Sequence, residues 1–351
     1  MTTTLTAEAK QQAALRKSPS LYRRRALGLL GILATLVLVC LASLAFGANP
    51  LPFDAVWSGM PNRDNSEASI IVWDMRIPRT ITALIVGAAF GVAGALIQAL
   101  TRNPLADPGI LGVNAGAGFA VTVGIGIFGI GSISGYIWFA FIGAAAATVI
   151  VYMIGIAAGG NANPITLVLA GVALAAVLGG VTTFLTLIDP DTFEAVRNWN
   201  LGSVARTSIS DTASVAPFLI AGLIIAILLS GSLNSIALGD DLAASLGTKV
   251  GRTRVFGIIA VTLLAGGGTA LTGGIGFVGL MIPHVVRWVV GPDQRWIILY
   301  SALAAPALVV AADILGRVIA RPGEIEVGIV IAIIGAPVLI ALVRRKKASG
   351  L

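Results

Sequence analysis

Ten long apolar runs, separated by short polar segments, dominate the pattern along the chain. A hydrocarbon core about 30 Å thick is crossed by roughly 20 apolar residues in a helix, so each run predicts a transmembrane helix. The runs at 108–128 and 276–290 are rich in glycine, and we expect them to be short or tilted. The predicted spans lie near 26–46, 79–100, 108–128, 136–158, 165–188, 213–236, 253–274, 276–290, 295–314 and 325–343.

The composition agrees with this pattern. An average soluble domain has about 25% charged residues, whereas this chain has 11%, with 57% hydrophobic residues and a mean hydropathy of +0.95. A soluble globular protein is therefore excluded, and an all-α polytopic membrane protein is predicted. Cys40 is the sole cysteine and His284 the sole histidine of the sequence, which excludes an intramolecular disulfide framework and a metal site rich in either residue. We expect no metal and no cofactor in this chain.

The charge distribution predicts the orientation of the spans. If the N-terminus lies inside, 16 of the 23 basic residues but only 5 of the 16 acidic residues fall on inner segments, which is the positive-inside bias. Both termini are then cytoplasmic, with tails at 1–25 and 344–351 on either side of a membrane domain at 26–343. The net charge of +7 follows from this topology and requires no nucleic acid. A signal peptide is the alternative for the first run, but that run exceeds the usual length of about 7–15 apolar residues.

The order of spans and loops suggests two related halves. Five spans per half place the second half upside down relative to the first, as in inverted-repeat transporters. The outer segments 47–75 and 189–212 are long enough to fold locally, and FEAVRNWNLGS (193–203) predicts a short helix that ends near Gly202. The one sizeable inner loop is predicted at 237–252.

The sequence contains no convincing motif for catalysis or nucleotide binding. GIGIFG (124–129) and GIGFVG (274–279) match a dinucleotide-binding pattern, but that pattern has meaning only between a strand and a helix. Both lie in apolar runs, where close helix packing or local unwinding explains them better. No P-loop motif occurs in the sequence, and His284 has no plausible triad partners. We predict no catalytic residues, and no ATP hydrolysis by this chain alone.

Two pairs of charged residues mark the outer ends of predicted spans. Arg76 and Arg79 stand at the entrance of the second span on one helical face, and Pro78 suits a first helical turn. From spacing alone, anchoring at lipid headgroups and docking of an acidic partner are equally good interpretations. Asp313 and Arg317 are spaced to form an i,i+4 ion pair. A carboxylate at membrane depth has to be paired or near the surface.

The inner loop LGDDLAASLGTKVGR (238–252) predicts a short amphipathic helix. Leucines recur at every fourth position, an aspartate at 240 or 241 suits the N-cap, and Gly247 ends the helix. The helix could lie on the lipid surface or insert into a groove of a cytoplasmic partner. Its acidic start favours the partner.

Two other inner edges are polar and break helices. They are TRNPLADPG (101–109) and GGNANP (159–164). Irregular backbone at membrane depth is tolerated only where it is buried or lines a cavity. Gate elements and tight turns are both open interpretations at this point.

Taken together, these segments resemble the permease subunits of bacterial ABC importers for iron–siderophore complexes, haem and vitamin B12 (the FecCD type), which have ten helices per subunit. The resemblance covers about residues 27–347. Within that family the chain looks most like the ferric-catecholate (enterobactin-type) permeases. The resemblance rests on MRIPRT, GALIQALTRNPLADPGILGVNAGAGF, TLVLAGVALA, RNWNLGS, ALGDDLAASLG, GFVGLMIPHVVRWVVG, ADILGRVI, PGEIEVG and IGAPVLIALVRR.

The resemblance implies roles for individual residues. Arg76 and Arg79 match the RxPR pair, and Arg317 the ADIxxR arginine, that receive acidic residues of a substrate-binding protein. Coupling to an ATPase subunit is implied for Gly239, Asp240, Asp241, Leu242, Leu246 and Gly247. An inner gate is implied for Asn103, Leu105, Asn163 and Pro164, although the second of these loops departs from relatives that carry Ser or Thr there.

The resemblance also implies the assembly and its location. The expected partners are two ATPase subunits that bind ATP and Mg²⁺, a substrate-binding protein, and a second permease subunit, with a paralogous heterodimer favoured over a homodimer. The transporter would carry a ferric siderophore across the bacterial inner membrane as a multi-pass protein in contact with lipid. A haem or vitamin B12 permease is the alternative within the family. An ion-coupled secondary transporter is the alternative class, but it needs acidic residues within the membrane, and the spans offer only Asp313.

Overall fold

Long apolar runs fold as helices in a membrane because every backbone N–H and C=O must find a partner inside the protein. The computed structural model of the chain describes residues 18–59, 63, 66–157 and 164–344, and the regular structure of these residues is entirely helical. The all-α prediction is confirmed. The α-helices are α1 (Ser18–Ala45), α2 (Phe53–Gly59), α3 (Glu67–Ile70), α4 (Ile77–Thr101), α5 (Val113–Gly126), α6 (Ile133–Ala157), α7 (Pro164–Ile188), α8 (Pro190–Asn200), α9 (Ile209–Ile236), α10 (Asp240–Ser245), α11 (Val250–Val261), α12 (Gly267–Thr272), α13 (Val278–Val290), α14 (Gln294–Ile319) and α15 (Val327–Arg344).

The described helices account for the ten predicted spans. Seven segments are long and apolar enough to cross a membrane, and three shorter apolar helices, α5, α13 and α15, supply the others. The glycine-rich spans are short, as expected, with 14 residues in α5 and 13 in α13. Residues 18–25 of the predicted N-terminal tail form the first turns of α1, while 1–17 and 345–351 lie outside the described residues.

The second span begins earlier than the apolar pattern predicts. Its helix starts at Glu67, where the Ser66 side chain caps it, and runs on to Thr101. Ile71–Arg76 form a π-helical turn within it, and Pro78 therefore lies inside the span, just after this turn, and not in the first turn of the span as predicted. Proline has no N–H for the carbonyl four residues earlier. A π turn bonds five residues apart and therefore lets the helix continue past Pro78.

Helix α4 forms the centre of the bundle. It belongs to the most buried of the candidate spans, and α9, α11, α13 and α14 pack against it. Helix α1 lies at the periphery, with only 6% of its apolar window buried, against α14. Its inner end is fixed by Arg25, which donates to the Val290 carbonyl at 2.8 Å and lies over the Trp296 ring, and Tyr300 Oη donates to the Arg25 carbonyl.

Glycine allows the backbones of α4 and α13 to meet. A Cβ at Gly94 would stand 1.9 Å from the Gly279 carbonyl oxygen, well inside contact distance. Such close approach gives van der Waals contact along a whole crossing, which drives helix association where lipid is as apolar as the side chains. The crossing also brings the Gly279 and Leu280 carbonyls to the buried amide of Gln98.

Residues next to α8 fix both of its ends. Asp189 caps α8 and accepts from the hydroxyl and backbone N–H of Thr192, and these hydrogen bonds hold the pKa of Asp189 below its usual range. The helix ends at Asn200, just before Gly202 at φ +70°, which confirms the predicted stop.

The predicted local unwinding at GIGFVG is confirmed. Residues 273–277 separate α12 from α13 without regular helix, and Gly273 has φ +74°. A Cβ there would lie 1.9 Å from the Trp199 carbonyl oxygen. The end of α8 therefore packs directly on the break, and the Ser203 N–H donates to the Thr272 carbonyl at 2.7 Å.

The order of elements fits two halves of five spans. Helices α1 and α4–α7 precede α8, and α9 and α11–α15 follow it. In both halves a short apolar helix (α5 or α13) follows the second span of the half after an irregular segment. The predicted inverted symmetry is compatible with this order and stays a prediction.

We expect Gly94→Ala to destabilise the protein by about 1–3 kcal/mol, because overpacking at a close crossing forces backbone shifts. Gly31→Ala on α1 is the matched control, since nothing lies within 4 Å of a Cβ at that position. Thermal unfolding of the purified variants in one detergent measures the difference. Equal melting temperatures for the two variants would contradict the close crossing.

Candidate functional site

Three elements meet at one end of the bundle in a pocket of about 220 Å³, which we call the arginine pocket. Arg76 ends the π turn, Arg79 opens α4, and Arg317 comes from the last turn of α14. The three predicted docking residues are thus brought together. Its lining residues are Gly47, Ala48, Asn49, Ile71, Met75, Arg76, Arg79, Arg317, Pro322 and Glu324.

Asp313 joins two of these arginines. Its carboxylate accepts from Arg79 Nε at 2.8 Å, and Arg79 Nη2 lies 2.7 Å from Oδ1. Arg317 Nη2 lies 2.9 Å from Oδ2, which confirms the predicted i,i+4 pair. The Asp313 side chain is only 2% exposed, so its charge is compensated by two guanidinium groups rather than by water.

Arg317 is engaged entirely inside the chain. It donates from Nη1 to the carbonyls of Ser43 and Phe46, from Nη2 to Ser43 Oγ and Asp313, and from Nε to the Asp313 carbonyl. A guanidinium has five N–H donors, and these contacts employ all of them. The geometry therefore favours a structural role for Arg317, tying the end of α1 to α14.

Arg76 is held by the chain that follows α1. It donates to the carbonyls of Leu44, Ala45 and Asn49 at 2.6, 3.0 and 2.9 Å. A Cβ at Gly47 would come within 2.8 Å of Arg76 Nη2, so the guanidinium would have to shift if this loop residue carried a side chain. Because all three acceptors are neutral carbonyls, the positive charge of Arg76 is not cancelled by them.

The rim of the pocket carries one exposed carboxylate. Glu324, in the connection between α14 and α15, lies 2.7 Å from Arg79 Nη1, with 35% of its side chain exposed. Arg321 donates to the Gly47 carbonyl at 2.8 Å on the same rim. Among the described residues, four arginines thus face two carboxylates, and the pocket keeps a formal excess of two positive charges.

The loop after α9 forms the predicted short helix, α10. Leu238, Leu242 and Leu246 are 60%, 51% and 62% exposed, so the apolar stripe has no partner among the described residues. Gly247 ends the helix at φ +84°. The loop therefore presents an apolar face at the inner end of the bundle.

The predicted aspartate N-cap of this helix is wrong. Gly239 occupies the cap at φ +106°, and Asp240 and Asp241 lie in the first turn, where they still favour the positive helix end. The Asp240 carboxylate instead pairs with Arg254 at 2.8 Å and lies 3.9 Å from Arg102 Nη2. These contacts draw the side chain away from a capping position.

The predicted gate residues are only partly described. Asn103 Oδ1 accepts the Leu105 N–H at 3.0 Å in a tight turn after α4, and Leu105 is 41% exposed. Arg102, at φ +50°, turns the chain into that loop. In the second loop, Pro164 begins α7, whereas Asn163 lies outside the described residues.

Sequence reasoning missed two features of the site. Gln98 is fully buried, accepts from Arg287 Nη1 at 2.6 Å, and holds α13 on α4; a polar residue inside the apolar run LIQAL was the available signal. Glu324 had no such signal in its local sequence, because its role depends on its ion pair with Arg79, which lies 245 residues earlier.

Comparison with known proteins defines the class. The family model of the FecCD transport family matches residues 35–345, and the chain belongs to that family. A solved metal-chelate type ABC transporter in an inward-facing conformation has the same fold, with a TM-score of 0.78 and 27% identity over 90% of this chain and 98% of that one. The chain is thus a multi-pass membrane permease of the ABC transporter type, and not an enzyme.

Two curated relatives give the particular similarity. The chain is 48% identical to the ferric enterobactin transport system permease protein FepD of Escherichia coli K12, over 95% of this chain and 99% of FepD. It is 38% identical to the probable siderophore transport system permease protein YfiZ of Bacillus subtilis, over 88% of this chain and 96% of YfiZ.

We expect Asp313→Asn to lower the free energy of unfolding by about 3–5 kcal/mol, because removing one partner leaves buried charges without compensation. The matched control is Asp74→Asn. Asp74 also pairs with an arginine, Arg63, at 2.9 Å, but that pair is exposed by 53% and 70%. Chemical denaturation in detergent, followed by tryptophan fluorescence, measures both. An equal loss in the two variants would contradict the central role of Asp313.

Proposed function

We propose that this chain is the transmembrane permease subunit of an ABC importer that moves a ferric siderophore of the catecholate, enterobactin-like class into the cytoplasm. The observation that carries the proposal is the 48% identity to FepD over nearly the full length of both chains. Siderophore transport is also named for YfiZ. The transported chelate is large, so the path through the membrane is expected to be wide and apolar rather than lined with iron ligands.

The proposed assembly contains two ATPase subunits, a second permease subunit and a substrate-binding protein. The ATPase subunits hold ATP and Mg²⁺, and the second permease subunit is a paralogue that makes a heterodimer. The charge bias of the loops supports a position in the bacterial inner membrane with both termini in the cytoplasm. In this orientation the arginine pocket faces the periplasm and α10 faces the ATPase.

The arginine pocket is the proposed docking point for the substrate-binding protein. Its excess positive charge supports an acidic partner, because complementary charge sets register and association rate. Arg76 and Arg79 carry this role. Arg317, which matches the separate ADIxxR motif of the family, supports them by holding Asp313 and the end of α1.

Helix α10 is the proposed coupling element. ATP-driven closure of the ATPase subunits would move α10 and shift the permease between outward- and inward-facing states. The exposed leucine stripe supports insertion into a groove of the partner. The Asp240 contacts with Arg254 and Arg102 link α10 to α11 and to the gate loop that contains Asn103 and Leu105. Asn163 and Pro164 are the proposed second gate loop.

Cells that lack this gene are expected to lose uptake of radiolabelled iron supplied as a ferric catecholate and to regain it with the wild-type gene. Iron supplied as citrate or haem, and labelled vitamin B12, are the comparison substrates. A loss confined to haem or vitamin B12 would move the proposal to that substrate. If the uptake of every one of these substrates is the same with and without the gene, the importer assignment is refuted.

The double variant Leu242→Ser/Leu246→Ser is expected to lower transport-coupled ATP hydrolysis by about tenfold or more, because each lost apolar anchor of an interface costs about 1–2 kcal/mol. The control is Leu242→Met/Leu246→Met, which keeps the stripe apolar. ATP hydrolysis and co-purification of the ATPase subunit are measured in nanodiscs. Normal coupling in the serine variant would return α10 to a lipid-surface helix.

A further inference from the structure

Arg79 contacts two carboxylates that differ in how firmly they are held. Asp313 is 2% exposed and is also bound by Arg317, so its departure would leave two buried guanidinium groups without their shared carboxylate. Glu324 is 35% exposed, and among the described residues its ion pair is with Arg79 alone. An ion pair with one exposed partner contributes little net stability. Of the two carboxylates, Glu324 is the one that can be replaced.

The surroundings of Glu324 allow its side chain to move while the backbone stays in place. The next residue, Ile325, donates its N–H to the Gly316 carbonyl at 3.1 Å. Glu326, one residue further on, pairs with Arg206 at 2.6 Å. These two contacts fix the connection between α14 and α15 just after Glu324, and the Arg321 contact with the Gly47 carbonyl at 2.8 Å fixes it just before. Exchange at Arg79 therefore needs only a side-chain rotation.

The pocket has space and charge for another carboxylate. Its volume is about 220 Å³, several times the roughly 30 Å³ that one water molecule occupies in the liquid. Arg76 lines the same pocket and donates only to backbone carbonyls, which leave its positive charge uncancelled. A carboxylate that enters beside Arg76 and takes the place of Glu324 on Arg79 would keep both guanidinium groups paired.

We propose that Glu324 is an internal occupant of the docking site, which holds Arg79 in the free permease and is exchanged for a carboxylate of the substrate-binding protein when that protein docks. The proposal rests on the docking function proposed above for Arg76 and Arg79. Glu324 competes with the incoming carboxylate: it keeps buried Arg79 paired in the free permease and thereby weakens docking. Release of the binding protein is then assisted by the return of Glu324.

Glu324→Gln is the test, because it removes the competing charge and keeps the size of the side chain. The whole transporter, with its partner subunits, is placed in nanodiscs. Binding of the substrate-binding protein of the same importer is measured by biolayer interferometry. We expect the dissociation constant of Glu324→Gln to fall about two- to fivefold, the range set by a partly exposed ion pair. Glu326→Gln, on the same connection but paired with Arg206, is the matched control and should bind as wild type does.

The outcomes separate this proposal from the docking proposal. If Arg76→Gln binds the substrate-binding protein more weakly than wild type, but Glu324→Gln binds it no more tightly than wild type, the exchange is overturned and docking stays in place. If Arg76→Gln and Arg79→Lys both bind the substrate-binding protein as tightly as wild type does, docking at the arginine pocket is overturned, and the exchange with it. The melting temperature of each variant without the binding protein shows that it is folded, and Glu324→Gln should match wild type because Asp313 still pairs with Arg79.

Discussion

A single buried carboxylate fixes the outer end of the bundle. Asp313 lies between Arg79 of α4 and Arg317 of α14, and Arg317 in turn binds the carbonyls at the end of α1. Three helices are therefore joined by one set of largely buried charges. Charges in such a place are stable only as a complete set. The pocket and the docking proposal both depend on this arrangement, since it holds Arg79 at a fixed place.

The rest of the bundle depends on small residues rather than on charge. Gly94 against Gly279, and Gly273 against Trp199, bring backbones into direct contact. The first contact joins the two halves of the chain at the centre, and the second places α8 on the break before α13. Close contacts of this kind pack the core of the bundle between the arginine pocket and α10. Movement of either end can then be passed on by helices that shift as units.

The sequence was sufficient for features that depend on neighbours along the chain. Apolar run length predicted the ten spans, and four-residue spacing predicted the Asp313–Arg317 pair and the leucine stripe of α10. It was insufficient where distant residues meet. The Arg79–Asp313 contact joins residues 234 apart, and no local pattern marks Asp313 as shared. The start of the second span at Glu67 was missed because its polar first turn carries no apolar signal. The N-cap of α10 is Gly239 rather than an aspartate, and the Asp240 side chain pairs with Arg254 instead.

The peripheral position of α1 has a consequence for biogenesis. The contacts of its N-terminal end are with the Val290 carbonyl, Trp296 and Tyr300, which the ribosome makes more than 260 residues after Arg25. Translation proceeds at about 5–20 residues per second, so this end of α1 waits in the bilayer for many seconds before the surface that it packs on exists. The high hydropathy and small buried share of α1 suit it to stand in lipid during that time. The N-terminal end of a helix made early is thus among the last parts of the chain to reach its final place.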